Sequence, residues 1–181
     1  MSIAHDLGAD SAANYSVSTL LRDGRPITIR ALRPDDRAEF IAAVERSSPA
    51  SRYRRFLRAK RHFSEKEIAY FLDIDFTKHV ALVATMENGS QSTIIGGGRY
   101  VVTEPGVAEV AFMVVDQFQN QGIGSVLLQH LIALARKTGL KELTAEVLPD
   151  NASMLKVFEH SGLPMKTESN PYEVHVVLQL S

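Results

Sequence analysis

The 181-residue chain contains no cysteine. That single absence excludes disulfides, thiolate metal sites and a cysteine nucleophile. It also lacks an excess of either charge: Lys plus Arg is 20, Asp plus Glu is 21, and the formal net charge is -1. A general polyanion binder needs a strong basic surplus, so nucleic acid is not an expected partner. No apolar run approaches the roughly 20 residues of a membrane helix. Residues 1–10 have neither the basic flank nor the apolar stretch of a signal peptide. A cytoplasmic domain without a membrane partner is expected. The hydrophobic fraction of 45% and the length suit one domain with a full core.

Residues 1–14 are small and polar without periodicity, and are expected to form a frayed tail ahead of a domain over 15–181. Asp23-Gly24 between apolar runs at 16–22 and 27–32 predicts a hairpin. Pro34, Asp35 and Asp36 open a helix to about Arg46, because fixed φ and acidic side chains suit a helix N-terminus. A short basic helix over 50–58 follows, then a capping box, Ser64 to Glu67, starting a helix over 65–72. Strands are expected over 79–85, 93–103 and 107–115, with turns at Asn88-Gly89 and Glu104-Pro105-Gly106. From Gly122 the apolar period becomes helical, through Ile123, Val126, Leu127, Leu131, Leu134 and Ala135 to Lys137, with Gly139 as the stop. A strand over 143–148, a helix over 151–161 and a strand over 172–180 complete the chain. The fold class is α/β, of the α+β type, with a mixed, mostly antiparallel central sheet flanked by helices.

The sharpest chemical feature is Gln119-Asn120-Gln121-Gly122-Ile123-Gly124-Ser125. It joins a strand to an amphipathic helix. Free amides and the dipole at such a helix start favour an anion, and two glycines let a phosphate reach the backbone. The plain alternative is a glycine-relaxed helix start without a ligand. A dinucleotide fingerprint would need a third glycine and a Walker loop would need Gly-Lys-Ser/Thr; neither is present. Gly96-Gly97-Gly98 reads as a bulge or a close strand approach. Ser125 is not in a nucleophile elbow. The six histidines form no ligand pattern, so no metal is expected.

The Gln119-x-x-Gly122-x-Gly124 loop after a strand resembles the pyrophosphate loop of the GNAT superfamily of N-acetyltransferases. Asn151-Ala152-Ser153-Met154, Phe158 and Ser161-Gly162-Leu163 resemble that superfamily's later strand–helix signature. A narrower likeness spans about residues 22–163. It is carried by Ile29 to Asp36, Ser48 to Phe56, Asp75 to Ala84, Ile95-Gly96, Arg99-Tyr100 and Ala108 to Ala111. These segments are similar to the acetyltransferase domain of bacterial protein lysine acetyltransferases. In that family the domain is usually fused to an acyl-CoA-synthetase-like or nucleotide-sensing domain, and neither is expected here.

The resemblance implies a GNAT fold with acetyl-CoA as cosubstrate. The strand bearing Phe112, Met113 and Val114 would pair with the pantetheine arm. Gln119, Gln121, Gly122, Ile123, Gly124 and Ser125 would hold the pyrophosphate. Asn151 would bond near the thioester, or serve as a helix N-cap, or both. Glu109 matches the family's general base; its plain alternative is a solvated strand glutamate. Phe158, counted among the cofactor contacts, stands where many GNAT enzymes have a tyrosine acid, and it has no proton to give. No general acid is therefore assigned. Direct attack of an amine on the thioester in a ternary complex is expected. The basic stretch Arg52, Arg54, Arg55, Arg58, Lys60 and Arg61 borders the acceptor region in such folds, where it would meet the cofactor's 3′-phosphate or an acidic protein substrate; otherwise it is a solvated helix face. The implied acceptor is a primary amine, most specifically a protein lysine. The alternatives are a small-molecule amine and a non-catalytic acyl-CoA-binding module. The last strand, over 172–180, is apolar enough for pairing of two copies into a homodimer.

Overall fold

The computed structural model describes residues 12–56 and 63–181. The expected tail lies almost wholly outside them, as do the end of the basic helix and Arg58, Lys60 and Arg61. The elements are β1 (Ser16–Leu20), β2 (Pro26–Ala31), α1 (Arg37–Arg46), α2 (Pro49–Phe56), α3 (Glu65–Leu72), β3 (His79–Asn88), β4 (Gln91–Glu104), β5 (Val107–Val114), α4 (Ile123–Lys137), β6 (Glu142–Val147), α5 (Ala152–Glu159), β7 (Met165–Ser169) and β8 (Val174–Gln179). One sheet runs β1-β2-β3-β4-β5-β6-β8-β7. Only β5 and β6 pair in parallel; the other neighbours are antiparallel. Among the described residues no helix is long and apolar enough to cross a membrane.

The expected elements are present, and β7 is an addition. Its sequence, MKTES, partly buries one residue and exposes four. An edge strand with so little inward surface carries no period-2 signal. Elsewhere the local rules operate as read. Ser64 accepts from the Glu67 amide at 3.2 Å while Glu67 accepts from the Ser64 amide at 2.8 Å, so the capping box closes α3 from both sides.

The sheet separates two cores. On one face Val80, Leu82, Tyr100, Val110 and Phe112 pack against Leu127, Leu128 and Leu131 of α4 and Phe158 of α5. The three α4 leucines are fully buried, each contributing about 1.5–3 kcal/mol relative to exposure. On the other face Ala81, Val83, Ile94 and Val115 meet Ala43 and Phe40 of α1. The glycine run of β4 sits where the layers are tightest. A Cβ on Gly98 would lie 2.6 Å from the Phe112 ring, and the β3–β4 register shifts beside Ala84 and Thr85. Close approach and bulge are therefore both realised there.

The feature that creates a site is a short ladder. β5 pairs with β6 only at Val107–Glu142, Ala108–Leu143 and Glu109–Thr144. β4 stays with β5 as far as Val114, and β8 stays with β6 as far as Val147. From Val110 and Ala145 onward the two strands diverge, and their facing edges lose strand partners.

Candidate active site

The divergence opens a cleft of roughly 400 Å³. Its walls are Val110 to Val114 of β5, Ala145 to Val147 of β6, the loop from Phe118 to Ser125 without Gln121, and Asn151, Ser153, Met154, Lys156, Val157, Phe158 and His160 on and beside α5. Ten of the expected cofactor residues thus share one wall: Phe112, Met113, Val114, Gln119, Gly122, Ile123, Gly124, Ser125, Asn151 and Phe158. Gln121 and Glu109 are not on it.

The loop gets its shape from two left-handed residues, Asn120 (φ 60) and Gly122 (φ 89, ψ 4). Asparagine and glycine tolerate that region best. The first helical bond runs from the Val126 amide to the Gly122 carbonyl at 3.0 Å. The amides of Ile123, Gly124 and Ser125 precede it and have no intrahelical acceptor. With the dipole behind them they form an anion site at the end of the cleft. The Gln119 side chain anchors the loop, donating to the Ser51 hydroxyl of α2 and to the Val114 carbonyl, each at 3.0 Å.

The hairpin turn between β1 and β2 supplies residues the sequence reading missed. Arg22 lines the cleft, and its Nε would be 3.3 Å from a Cβ placed on Gly122. Arg25 braces the turn: its Nη2 donates to Gln121 Oε1 at 2.7 Å, and its guanidinium lies 5.7 Å from the Phe118 ring centre. Gln121 therefore serves as the loop's tie to the hairpin. Asp23-Gly24 marked the turn, but no local signal tells that a turn docks on a loop almost 100 residues later. Among the described residues Arg22, Arg54, Arg55 and Lys156 line the cleft against one carboxylate, Glu146. That balance suits a polyanionic ligand.

Asn151 caps α5, its Oδ1 accepting from the Met154 amide at 3.3 Å. Phe158 is 1% exposed and meets Phe112 edge to face at 6.1 Å between centres. Its ring is core as well as cleft wall.

Glu109 is exposed at the last rung before the strands part. It shares a face with Ala111 and Met113. A smaller apolar hollow on that face shares Arg55, Ala111 and Met113 with the main cleft, and is also lined by Phe71 and Arg99. Burial pulls the Arg55 guanidinium down to about 10, opposed by the charge of Glu109. Burial and nearby Arg55 bring Arg99 to about 9, so both remain cations at neutral pH. Arg99 Nη1 donates to the Phe71 carbonyl at 3.0 Å and lies 2.9 Å from His79 Nε2. Burial and Arg99 hold His79 down at about 4, a neutral imidazole that accepts this bond. The Arg99 guanidinium also stacks 4.9 Å from the Phe71 ring centre. These contacts pin the end of α3 to the sheet beside Glu109, with a cation at the helix C-terminus where the dipole favours it.

Residues 29–163 match the profile of the acetyltransferase (GNAT) family. The chain belongs to this family. GNAT relatives include an acetyltransferase of Pseudomonas aeruginosa, 35% identical over 124 residues, which are 68% of this chain and 67% of that protein. The acetyltransferase Pat of Mycolicibacterium smegmatis is 31% identical over 144 residues, 78% of this chain but 42% of its own length. The GNAT domain of PAT from S. lividans superposes with a TM-score of 0.82 at 32% identity, covering 91% of this chain and 96% of that one. GNAT enzymes use acetyl-CoA. A fold neighbour at 19% identity, yncA of Salmonella typhimurium, a putative acetyltransferase, was solved with acetyl-CoA as its cofactor; it covers 86% of this chain and 94% of that one at a TM-score of 0.68.

Proposed function

We propose that the chain transfers the acetyl group of acetyl-CoA to a primary amine, with a protein lysine as acceptor, by direct attack in a ternary complex. The observation that carries the reading is the β5–β6 divergence running into the α4 N-terminus. Phe112, Met113 and Val114 line the pantetheine arm. The amides of Ile123, Gly124 and Ser125 take the pyrophosphate, and Arg22 supplies a charge-assisted bond from the side. The left-handed Gly122 leaves room for both.

Glu109 acts as base. A lysine amine of pKa near 10.4 is only roughly 0.1% neutral at physiological pH, a cost of about 4 kcal/mol. A carboxylate that takes the proton during attack, directly or through a water, returns about 10²–10⁴-fold in rate. The amine nitrogen bonds to the carbonyl carbon, the C–S bond breaks, and the thiolate leaves. With Phe158 at the position of the tyrosine, the thiolate takes its proton from solvent. Its conjugate acid, of pKa near 8.5, makes it a fair leaving group unaided.

The lysine acceptor is supported by likeness to the PAT domain. Thiol release measured with a lysine peptide, polyamines and aminoglycosides tests both parts. Peptide-dependent CoA release lost in Glu109→Gln is expected. Release with polyamines alone removes the protein acceptor. Tight CoA binding without release for any amine leaves an acyl-CoA-binding module.

A further inference from the structure

Glu146, the one carboxylate lining the cleft among the described residues, has no task in that scheme, and it would repel phosphates. Glu146 lies on β6 two residues beyond Thr144, the rung partner of Glu109. Alternate strand residues share a face, so Glu146 stands on the same side of the sheet as Glu109, about 7 Å further along its strand. The two carboxylates flank the mouth of the divergence, one on each strand. Arg22 and the anion-binding amides lie instead on the hairpin and the α4 N-terminus.

Glu146 is also held. Its register partner on β8 is His175, whose Nδ1 donates to Oε1. The other oxygen, Oε2, is enclosed and has no hydrogen-bond partner among the described residues. Leaving a buried carboxylate oxygen unpaired is costly, and such atoms in native proteins call for a partner. Glu146 lines the cleft, so a small turn of its carboxylate brings Oε2 to a donor arriving with a ligand.

We propose that Glu146 is an acceptor-binding residue: Oε2 accepts a hydrogen bond from the nitrogen of the incoming amine, while Glu109 takes its proton. The carboxylate favours an acceptor that arrives as a cation, and its place at the mouth aims the nitrogen between the two strands. His175 is a positioning residue that keeps Oε1 occupied and Oε2 turned to the acceptor. The inference rests on the reading of this cleft as the acetyl-CoA site.

The test uses the full chain and two ligands, CoA alone and a bisubstrate probe. In the probe the CoA sulfur is joined through a CH2–CO link to the Nε of Nα-acetyl-lysine amide, which keeps one N–H donor at the acceptor position. Glu146→Gln is expected to weaken the probe about tenfold, about 1.4 kcal/mol, with CoA affinity within about twofold of wild type. In turnover with a lysine peptide, its effect falls on KM for the amine more than on kcat. His175→Ala weakens the probe by about threefold, and His175→Asn, which keeps a donor near the Nδ1 position, restores it. Equal loss for CoA and probe in Glu146→Gln overturns the assignment, as does unchanged probe affinity. Wild-type protein that binds neither ligand overturns the cleft reading itself.

Discussion

The two ends of the cleft are built in opposite ways. The proposed phosphate end is mostly local: a seven-residue loop, its two left-handed residues and the first turn of α4 are contiguous, while Arg22 and Arg25 of the hairpin and Ser51 of α2 reach it from afar. The proposed acceptor end is assembled from single residues on β5, β6 and β8, with Arg55, Arg99 and His79 beneath them from α2, β4 and β3. A group common to many reactions can be held by one backbone motif, because amides and a helix dipole bind any phosphate. A particular acceptor is selected by side chains, which strand register brings together singly.

Four variants or conditions sharpen this contrast. The largest effect is expected from Glu109→Gln, which should lower kcat by about 10²–10⁴-fold while the dissociation constant for CoA stays put; weaker CoA binding of the same size would place Glu109 at the wrong end. At the phosphate end, Gly122→Val forces a β-branched residue to φ 89 beside the Arg22 guanidinium. It should weaken CoA by about tenfold or more through about 1–2 kcal/mol of strain, read by calorimetry, with kcat at saturating acetyl-CoA nearly kept. Arg22→Ala should raise KM for acetyl-CoA by about fivefold, the equivalent of about 1 kcal/mol for an exposed charge pair. Added salt should shrink the difference, and an unchanged KM at low salt would remove the hairpin from the site.

A last effect is on stability and belongs to the proposed acceptor end. Folded His79, held at about 4, binds a proton less readily than the unfolded histidine near 6.5. Stability is therefore whole above pH 6.5, falls as the pH drops through that value, and stops falling below about 4. Burial opposes the proton most and Arg99 and Arg55 add to it, while Asp75 and Asp73 favour it, so burial sets the sign. Urea titrations at pH 7 and pH 5 should show a loss in wild type that is smaller in His79→Gln.

The legible parts of the molecule were those written in contiguous residues. The capping box, the Asp23-Gly24 turn, the α4 periodicity and the glycine loop each carry their own physics within a few positions, and each formed where expected. The strand β7 stayed hidden because a solvent-facing edge needs no apolar alternation. Arg22 and Arg25 stayed hidden because their meaning depends on which loop the hairpin reaches. Glu146 and His175 are 29 residues apart and meet only through strand register, which no short pattern encodes. Gln121 was read as a phosphate contact from its place in the motif, yet its amide oxygen is taken by Arg25.

The bond from Arg25 to Gln121 links the outermost strand pair on one side of the sheet to the glycine loop. Among the described residues β1 pairs with β2 alone, so an edge strand leads directly into the turn. A shift of that hairpin would move Arg25 and, through its hydrogen bond, the Gln121 side chain in the loop.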